Sequence, residues 1–233
     1  MKRGSPAAAF FDVDGTVVRG NIVLYYARMR TASMPAWMKW LWALAYLPTA
    51  AYYFVLDLKS RRRFNEVFYR SYARFSVSEL EELAQWHFEE FMRPSVYADA
   101  RRCIRRHQQQ GHAVVLVTGS VTAVLRPLAE WLEADETYAA ELEERNGHYS
   151  GRLSFGPITD AAKVEALREF ARRNALKLED CYAYADSMDD VPMLSQVGHA
   201  AVVNPGKRLK AVAEKRQWDV LRWKETVGQS GER

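Results

Sequence analysis

The feature that most restricts this chain is five residues long. Behind the apolar run that begins at Ala7, the stretch Asp12-Val13-Asp14-Gly15-Thr16 sets two carboxylates two residues apart and follows them at once with glycine. An apolar run ending in such residues reads as a buried strand breaking into a loop. Gly15 permits the tight backbone turn that brings both carboxylates to one mouth.

The remaining sequence fits a buried strand at that position. From Asn21 to about Phe91 no strand–loop alternation occurs, and the stretch reads as helical, with breaks at Pro35 and Pro48 and an N-cap at Ser78. After Pro94 the pattern changes. A helix from Val96 to Gln110 closes at Gly111, a strand Ala113 to Val117 follows, and then a helix from about Val121 to Glu133. Asn146-Gly147 marks a hairpin within Thr137 to Ile158. Next come a helix from Asp160 to Asn174, a strand Cys181 to Ala185, a short helix from Asp190, a strand His199 to Val203 and a terminal helix. Short buried strands alternating with helices predict an α/β fold, a parallel sheet core flanked by helices on both faces. The helical stretch after the first strand predicts an all-helical cap inserted there. The division expected is 1–18 and 95–233 for the core and 19–94 for the cap.

In such sheets the ligand site lies beyond the carboxyl ends of the strands. The chemistry-bearing residues gather there in sequence: Asp12 and Asp14 after one strand, Thr118-Gly119-Ser120 after another, and Asp186-Ser187-Met188-Asp189-Asp190 after a third. Lys163 opens a helix behind the hairpin region. These residue types suit phosphoryl transfer. A phosphate monoester repels an anionic nucleophile, so a divalent cation must neutralise both. Hard oxygen ligands from Asp12 and Asp186, with a backbone carbonyl near Asp14, suit magnesium. Lys163 supplies fixed positive charge, and Thr118 with the N–H groups around Gly119 supplies donors to phosphate oxygens. Crowded carboxylates do not ionise equally, so Asp14, further from the cation, is expected to carry the proton for the leaving oxygen.

Asp12-Val13-Asp14-Gly15-Thr16, Thr118-Gly119, Lys163 and Asp186-Ser187-Met188-Asp189-Asp190 resemble, in order, the four motifs of haloacid dehalogenase superfamily phosphatases, over roughly Ala7 to Pro205. The all-helical insert resembles the subfamily that contains phosphoserine phosphatase. The resemblance implies a Rossmann-like core with a helical cap and Mg2+ as cofactor. It implies Asp12 as nucleophile, Asp14 as acid/base, Thr118 as phosphate donor, Lys163 as charge stabiliser, Asp186 as metal ligand and Asp190 in support. Three positions depart from the pattern. Ala185 stands where glycine is usual, and Asp189 where relatives often carry asparagine. Asn21 stands where phosphoserine phosphatases place a glutamate that recognises the substrate amine. Asn21 is thus a substrate-facing position whose change weighs against phosphoserine itself.

Composition narrows the partners. A net charge of +4 and a pI of about 9.0 suit an anionic ligand or membrane face and fall short of an argument for nucleic acid. Cys103 and Cys181 have no metal-like neighbour and read as core thiols of a cytoplasmic protein. His87, His107, His112, His148 and His199 show no ligand spacing. The N-terminal apolar run is too short for a signal peptide, since Asp12 interrupts it. The segment from Trp37 to Leu56 is apolar all round, and Lys59, Arg61, Arg62 and Arg63 follow it. Burial in the cap or a homo-oligomer interface, contact with the inner face of a membrane through 37–63, and a membrane span all remain open for it. Arg70 and Arg74 read as solvated cap charges. The functions expected are hydrolysis of a small soluble phosphorylated metabolite, hydrolysis of a lipid phosphate at a membrane surface, or a non-catalytic regulatory role on the same fold.

Overall fold

A computed structural model describes residues 6–73, 75–156 and 159–231. The expected tail Met1 to Ser5, Arg74, the Ile158 end of the hairpin region, and the side chains of Arg61 and Arg62 lie outside the described residues.

The chain runs from β1 (Ala8–Phe11) into four helices, α1 (Ile22–Arg30), α2 (Ala36–Lys59), α3 (Arg61–Phe68) and α4 (Val77–His87). It continues through α5 (Ala98–Gln109), β2 (Ala113–Val121), α6 (Thr122–Trp131), β3 (Glu136–Arg145), β4 (His148–Phe155) and α7 (Asp160–Arg173). It ends with β5 (Tyr182–Ala185), α8 (Val191–Leu194), β6 (His199–Val203), α9 (Lys207–Arg216), β7 (Asp219–Leu221) and α10 (Val227–Ser230). The strands form one seven-stranded sheet in the order β4-β3-β2-β1-β5-β6-β7. Pairing is parallel except between β3 and β4.

β1 is central because it is apolar on both faces. Phe10 meets the Phe170 ring of α7 edge-on at 5.8 Å on one side, and Phe11 stacks on Tyr184 at 4.5 Å on the other. Alternate residues of a strand face opposite ways, so a continuous apolar strand must be covered twice. The order of connection reverses at β1, with β2 on one side and β5 on the other. A crevice therefore opens at their carboxyl ends.

The helical segment α1–α4 leaves and re-enters the sheet layer at one place. Arg19 N donates to Ser95 O at 2.9 Å, Tyr97 N donates to Val17 O at 3.0 Å, and Val18 bridges Val96. Its interior is aromatic, with the Tyr26 ring 5.8 Å from Phe68 and 5.4 Å from Tyr72.

Several local expectations are corrected. Pro48 does not break the chain, and α2 runs through it. Proline's fixed φ is compatible with a helix and removes a single donor. Meanwhile Trp42 and Tyr46 before it, and Tyr53 after it, seat both halves on the same apolar cluster. The N-cap of α4 is Ser76, whose Oγ accepts from Glu79 N at 3.0 Å, and Ser78 lies inside the helix. β2 extends to Val121, past Thr118-Gly119-Ser120, with its register against β3 shifting between Val117 and Val121. β7 adds an edge strand where only a helix was expected. His107, His112 and His199 share one aromatic row. His107 bonds His112 and the Tyr184 hydroxyl at 2.8 Å each, and Tyr182 stacks between His112 and His199. Cys103 and Cys181 are free thiols, half-buried and buried.

Candidate active site

The crevice holds a cavity of about 180 Å³ lined by Asp12, Asp14, Asn65, Gly119, Thr159, Lys163, Asp186, Ser187, Asp189 and Asp190. Each group arrives from a strand end or from the helix behind it. Asp12 follows β1, where its N–H donates to Tyr184 O at 2.9 Å and continues the sheet by one residue. Gly15, at φ +90°, turns the chain so closely over β5 that a Cβ there would collide with the Asp186 carboxylate. Only glycine meets both demands.

Lys163 is the electrostatic centre. It is buried near the start of α7, and its Nζ lies 2.6 Å from Asp12 Oδ1 and 2.6 Å from Asp190 Oδ1. Burial opposes its charge, but Asp12 and Asp190 more than offset that and hold it protonated, above the ordinary lysine range. The Ser187 hydroxyl donates to Asp190 Oδ2 at 3.0 Å and fixes that carboxylate. The Thr16 hydroxyl donates to Asp186 Oδ1 at 3.2 Å.

Asp12, Asp186 and Asp190 set three carboxylates around that one ammonium, with Asp14 close enough to act on Asp12. Burial pushes Asp12 up to about 8 despite Lys163, with Asp190, Asp186 and Asp14 adding repulsion. Burial and then Asp190 push Asp186 up to about 6. Asp12, Asp186 and Asp190 each offer an oxygen, and these lie within 4.8 Å of one another. Three hard oxygen donors in a buried site with surplus negative charge fit a divalent cation of the magnesium kind.

Asp14 sits on the other wall. Its Oδ2 accepts from the Ser120 hydroxyl at 2.8 Å and the Thr118 hydroxyl at 3.2 Å. Its Oδ1 is buried without a partner, and the buried Tyr25 hydroxyl lies against Asp14 without reaching hydrogen-bond geometry. Burial and then Asp14 keep the Tyr25 phenol protonated.

Two expected placements are corrected. Thr118 does not line the cavity. Its hydroxyl bonds Asp14 and accepts from Ser120 N at 3.0 Å, leaving the Gly119 backbone to face the space. Asn21 is exposed at the N-cap of α1, where its Oδ1 accepts from Leu24 N at 3.0 Å, and it lines a separate groove with Tyr53 and Phe64. An amide just before a helix serves the free backbone N–H groups first. Arg70 is exposed, as a solvated charge. Residues not anticipated in their roles are Ser120, Thr16, Tyr25 and Asn65. The spacing of Thr118 and Ser120 along one strand puts both hydroxyls on one face. Nothing in the sequence marks Asn65, whose place depends on how α3 packs over the sheet.

Residues 9–195 match the haloacid dehalogenase-like hydrolases. The chain belongs to that family. A phosphoserine phosphatase of Mycobacterium tuberculosis is 31% identical over 92% of this chain and 70% of its own length. A structure from Bordetella pertussis Tohama I, a protein of unknown function, matches with a TM-score of 0.80 at 25% identity over 93% of this chain and 98% of that one. A phosphoserine phosphatase captured as a phospho-aspartyl intermediate analogue shares the fold, with a TM-score of 0.67 at 18% identity over 96% of both chains. The haloacid dehalogenase-like hydrolase described here is a phosphoric monoester hydrolase with the phosphoserine-phosphatase type of fold, a mostly parallel sheet with a helical segment after its first strand. Hydrolases of this family typically use Mg2+, and the buried aspartate cluster is in keeping with that.

Proposed function

We propose that this phosphatase cleaves a small, soluble phosphate monoester through an aspartyl-phosphate on Asp12. The observation that carries the reading is Lys163 clamped at 2.6 Å between Asp12 and Asp190 beside Asp186. Asp12 Oδ2, the oxygen not bonded to Lys163, attacks phosphorus while the bond to the leaving oxygen breaks. Asp14, aligned by Ser120 and Thr118, gives a proton to that oxygen. Asp14 then takes a proton from the water that attacks phosphorus, and Asp12 is released as carboxylate. Lys163 orients Asp12 and offsets charge that develops on the phosphoryl oxygens, with the Gly119 backbone as a further donor. Asp12, the Asp14 carbonyl and Asp186, with Asp190 in support, would hold Mg2+, which neutralises the repulsion between nucleophile and phosphate. In this reading 1–18 and 95–233 form the catalytic core, and 19–94 form the cap that closes over it.

The cavity favours an uncharged, hydroxyl-bearing leaving group. About 180 Å³ holds a phosphoryl group and few further atoms. Lys163 is the single cation among the described side chains lining the space, and it is already bonded to two carboxylates. Asn65 Nδ2, by contrast, is buried at the wall without a partner, a state that a substrate hydroxyl would relieve. The carboxylate of phosphoserine would find that amide as a donor but no unengaged cation among the described lining side chains. A second reading, a lipid phosphate, draws on the exposed apolar face of α2. Two free thiols support a cytoplasmic setting.

The test is phosphate release with Mg2+ from soluble esters and from phospholipid phosphates in mixed micelles, beside trapping of the phosphoenzyme. Asp12→Asn is expected to abolish phosphoenzyme and turnover together. Turnover at the wild-type rate would remove the nucleophile assignment, and a preference for the micellar substrates would replace the soluble-ester reading.

A further inference from the structure

α2 carries most of the large apolar side chains that stand in water among the described residues. Among the described residues, the large apolar side chains that are exposed all lie on α2 except Leu24, Phe155 and Met188. Trp37, Leu41, Leu44, Val55 and Leu58 recur at helical spacing and share one outer face, with Pro48 and Ala51 between them. Trp40 beside that face is 79% exposed. With Trp37, Leu41, Leu44 and Leu58 each more than half exposed on that face, the stripe is of the contiguous kind that marks an interaction surface.

The inner face of the same helix is fixed. Tyr53 is buried 5.5 Å from Phe68 and 5.9 Å from Phe64, and its hydroxyl bonds Ser71 Oγ at 2.9 Å. The Tyr46 ring stacks on Trp42 at 4.5 Å and lies 6.4 Å from Tyr26. Before its last residue the helix carries two charges, Lys39 and Asp57, and both fall on the Tyr46–Tyr53 side. The helix is long and apolar enough to cross a membrane, but crossing would tear out Tyr46 and Tyr53. It therefore lies along the molecule with its outer face open.

The charge around it selects the occupant. From Gly15 to Leu56 the sequence contains no acid, while Arg19, Arg30 and Lys39 are exposed within that stretch and Lys59 and Arg63 just after it. A second copy packed face to face would set these cations against their equivalents, which is unfavourable. An anionic surface would attract all of them.

We propose that α2 docks this phosphatase on an anionic phospholipid bilayer, its outer apolar face in the headgroup–acyl boundary and its flanking arginines and lysines on lipid phosphates. Trp37, Trp40 and Tyr52 supply the amphipathic rings that settle at headgroup depth. Docking of this kind needs no change at the cavity, so it is separable from catalysis.

The experiment is co-sedimentation of the full chain with phosphatidylcholine vesicles, with and without a quarter of phosphatidylglycerol, beside the mass in solution without lipid. Binding is expected to the anionic vesicles, weakened by salt, with a monomer in solution. The double substitution W40E/L44E is expected to lower vesicle partitioning at least about tenfold while leaving hydrolysis of a soluble phosphate ester unchanged. Equal binding by W40E/L44E, or no binding by the wild-type chain, overturns the proposal. A wild-type dimer that W40E/L44E converts to monomer overturns it in favour of an interface between copies. Hydrolysis of the soluble ester is read separately, so its failure bears on the catalytic assignment alone.

Discussion

Replacing Lys163 by methionine isolates the interaction on which the site is built. The substitution keeps the apolar stem and removes only the ammonium, leaving Asp12 and Asp190 buried without the cation that lies 2.6 Å from each. Removing one partner of a buried ion pair costs about 3–5 kcal/mol, which for a chain of this length lowers Tm by roughly 10 °C. Over the range from about pH 5 to about pH 8, Lys163 stays charged in both folded and unfolded states, because its folded-state pKa lies above an already basic value. The pH dependence of the loss therefore comes from the carboxylates. Asp12, whose pKa is raised to about 8, takes up a proton as pH falls through that value, so the cost shrinks toward pH 5 and is largest at the alkaline end. The assay is thermal unfolding of wild type and Lys163→Met in EDTA at the two ends of that range, with phosphate release in Mg2+ alongside. Turnover is expected to fall by about 10²–10³-fold, the effect of losing one fixed electrostatic donor. An unchanged Tm near pH 8, or turnover within about threefold of wild type, would refute the view that this ammonium balances the buried charge.

Stability without metal is expected to peak between these extremes. Asp12 and Asp186 have raised folded-state pKa values, about 8 and about 6, so the folded state holds extra protons and stability falls as pH rises through them. His87 and His107 are pushed down to about 4, chiefly by burial, so stability also falls as pH drops below about 6.5. Calorimetry in EDTA should show Tm highest near pH 6, and Mg2+ should lift the alkaline limb while leaving the acid limb in place. Ser120→Ala removes the 2.8 Å hydrogen bond that aligns Asp14. It should lower kcat about tenfold, a part of the general acid–base contribution of about 10²–10⁴, with KM little changed, and an unaltered kcat would show that Thr118 alone aligns the acid.

The sequence disclosed the site wherever a residue's role follows from its distance to a strand end. Asp12, Asp14, Asp186 and Asp190 converge because parallel strands of one sheet end at the same edge. Lys163 joins them because α7 returns its first turn to that edge. What the sequence concealed depended on competition or packing. Asn21 was equally suited to a ligand and to a helix cap, and the free N–H of Leu24 is always at hand whereas a substrate is not. Asn65 reaches the cavity, and Tyr25 reaches Asp14, only through the packing of α3 and α1, which local periodicity does not specify. Asp219–Leu221 is too short to register as a strand until β6 is beside it to pair with. At Pro48 the local rule for breaking a helix was overruled by aromatic contacts on either side.

The paired crossings at Val18 and Val96 bear on how such a molecule diversifies. Because the outgoing and returning strands of chain already bridge one another, the ends left by excising everything between them would stand about 5 Å apart, in register and hydrogen-bonded. A region between of different length and chemistry would therefore leave β1, α7 and β5 to keep Asp12, Lys163 and Asp186 where they are. The covalent joint is narrow, and what a replacement would have to match besides it is the flank where Tyr149 N donates to Phe75 O at 2.9 Å and Arg126 pairs with Glu81.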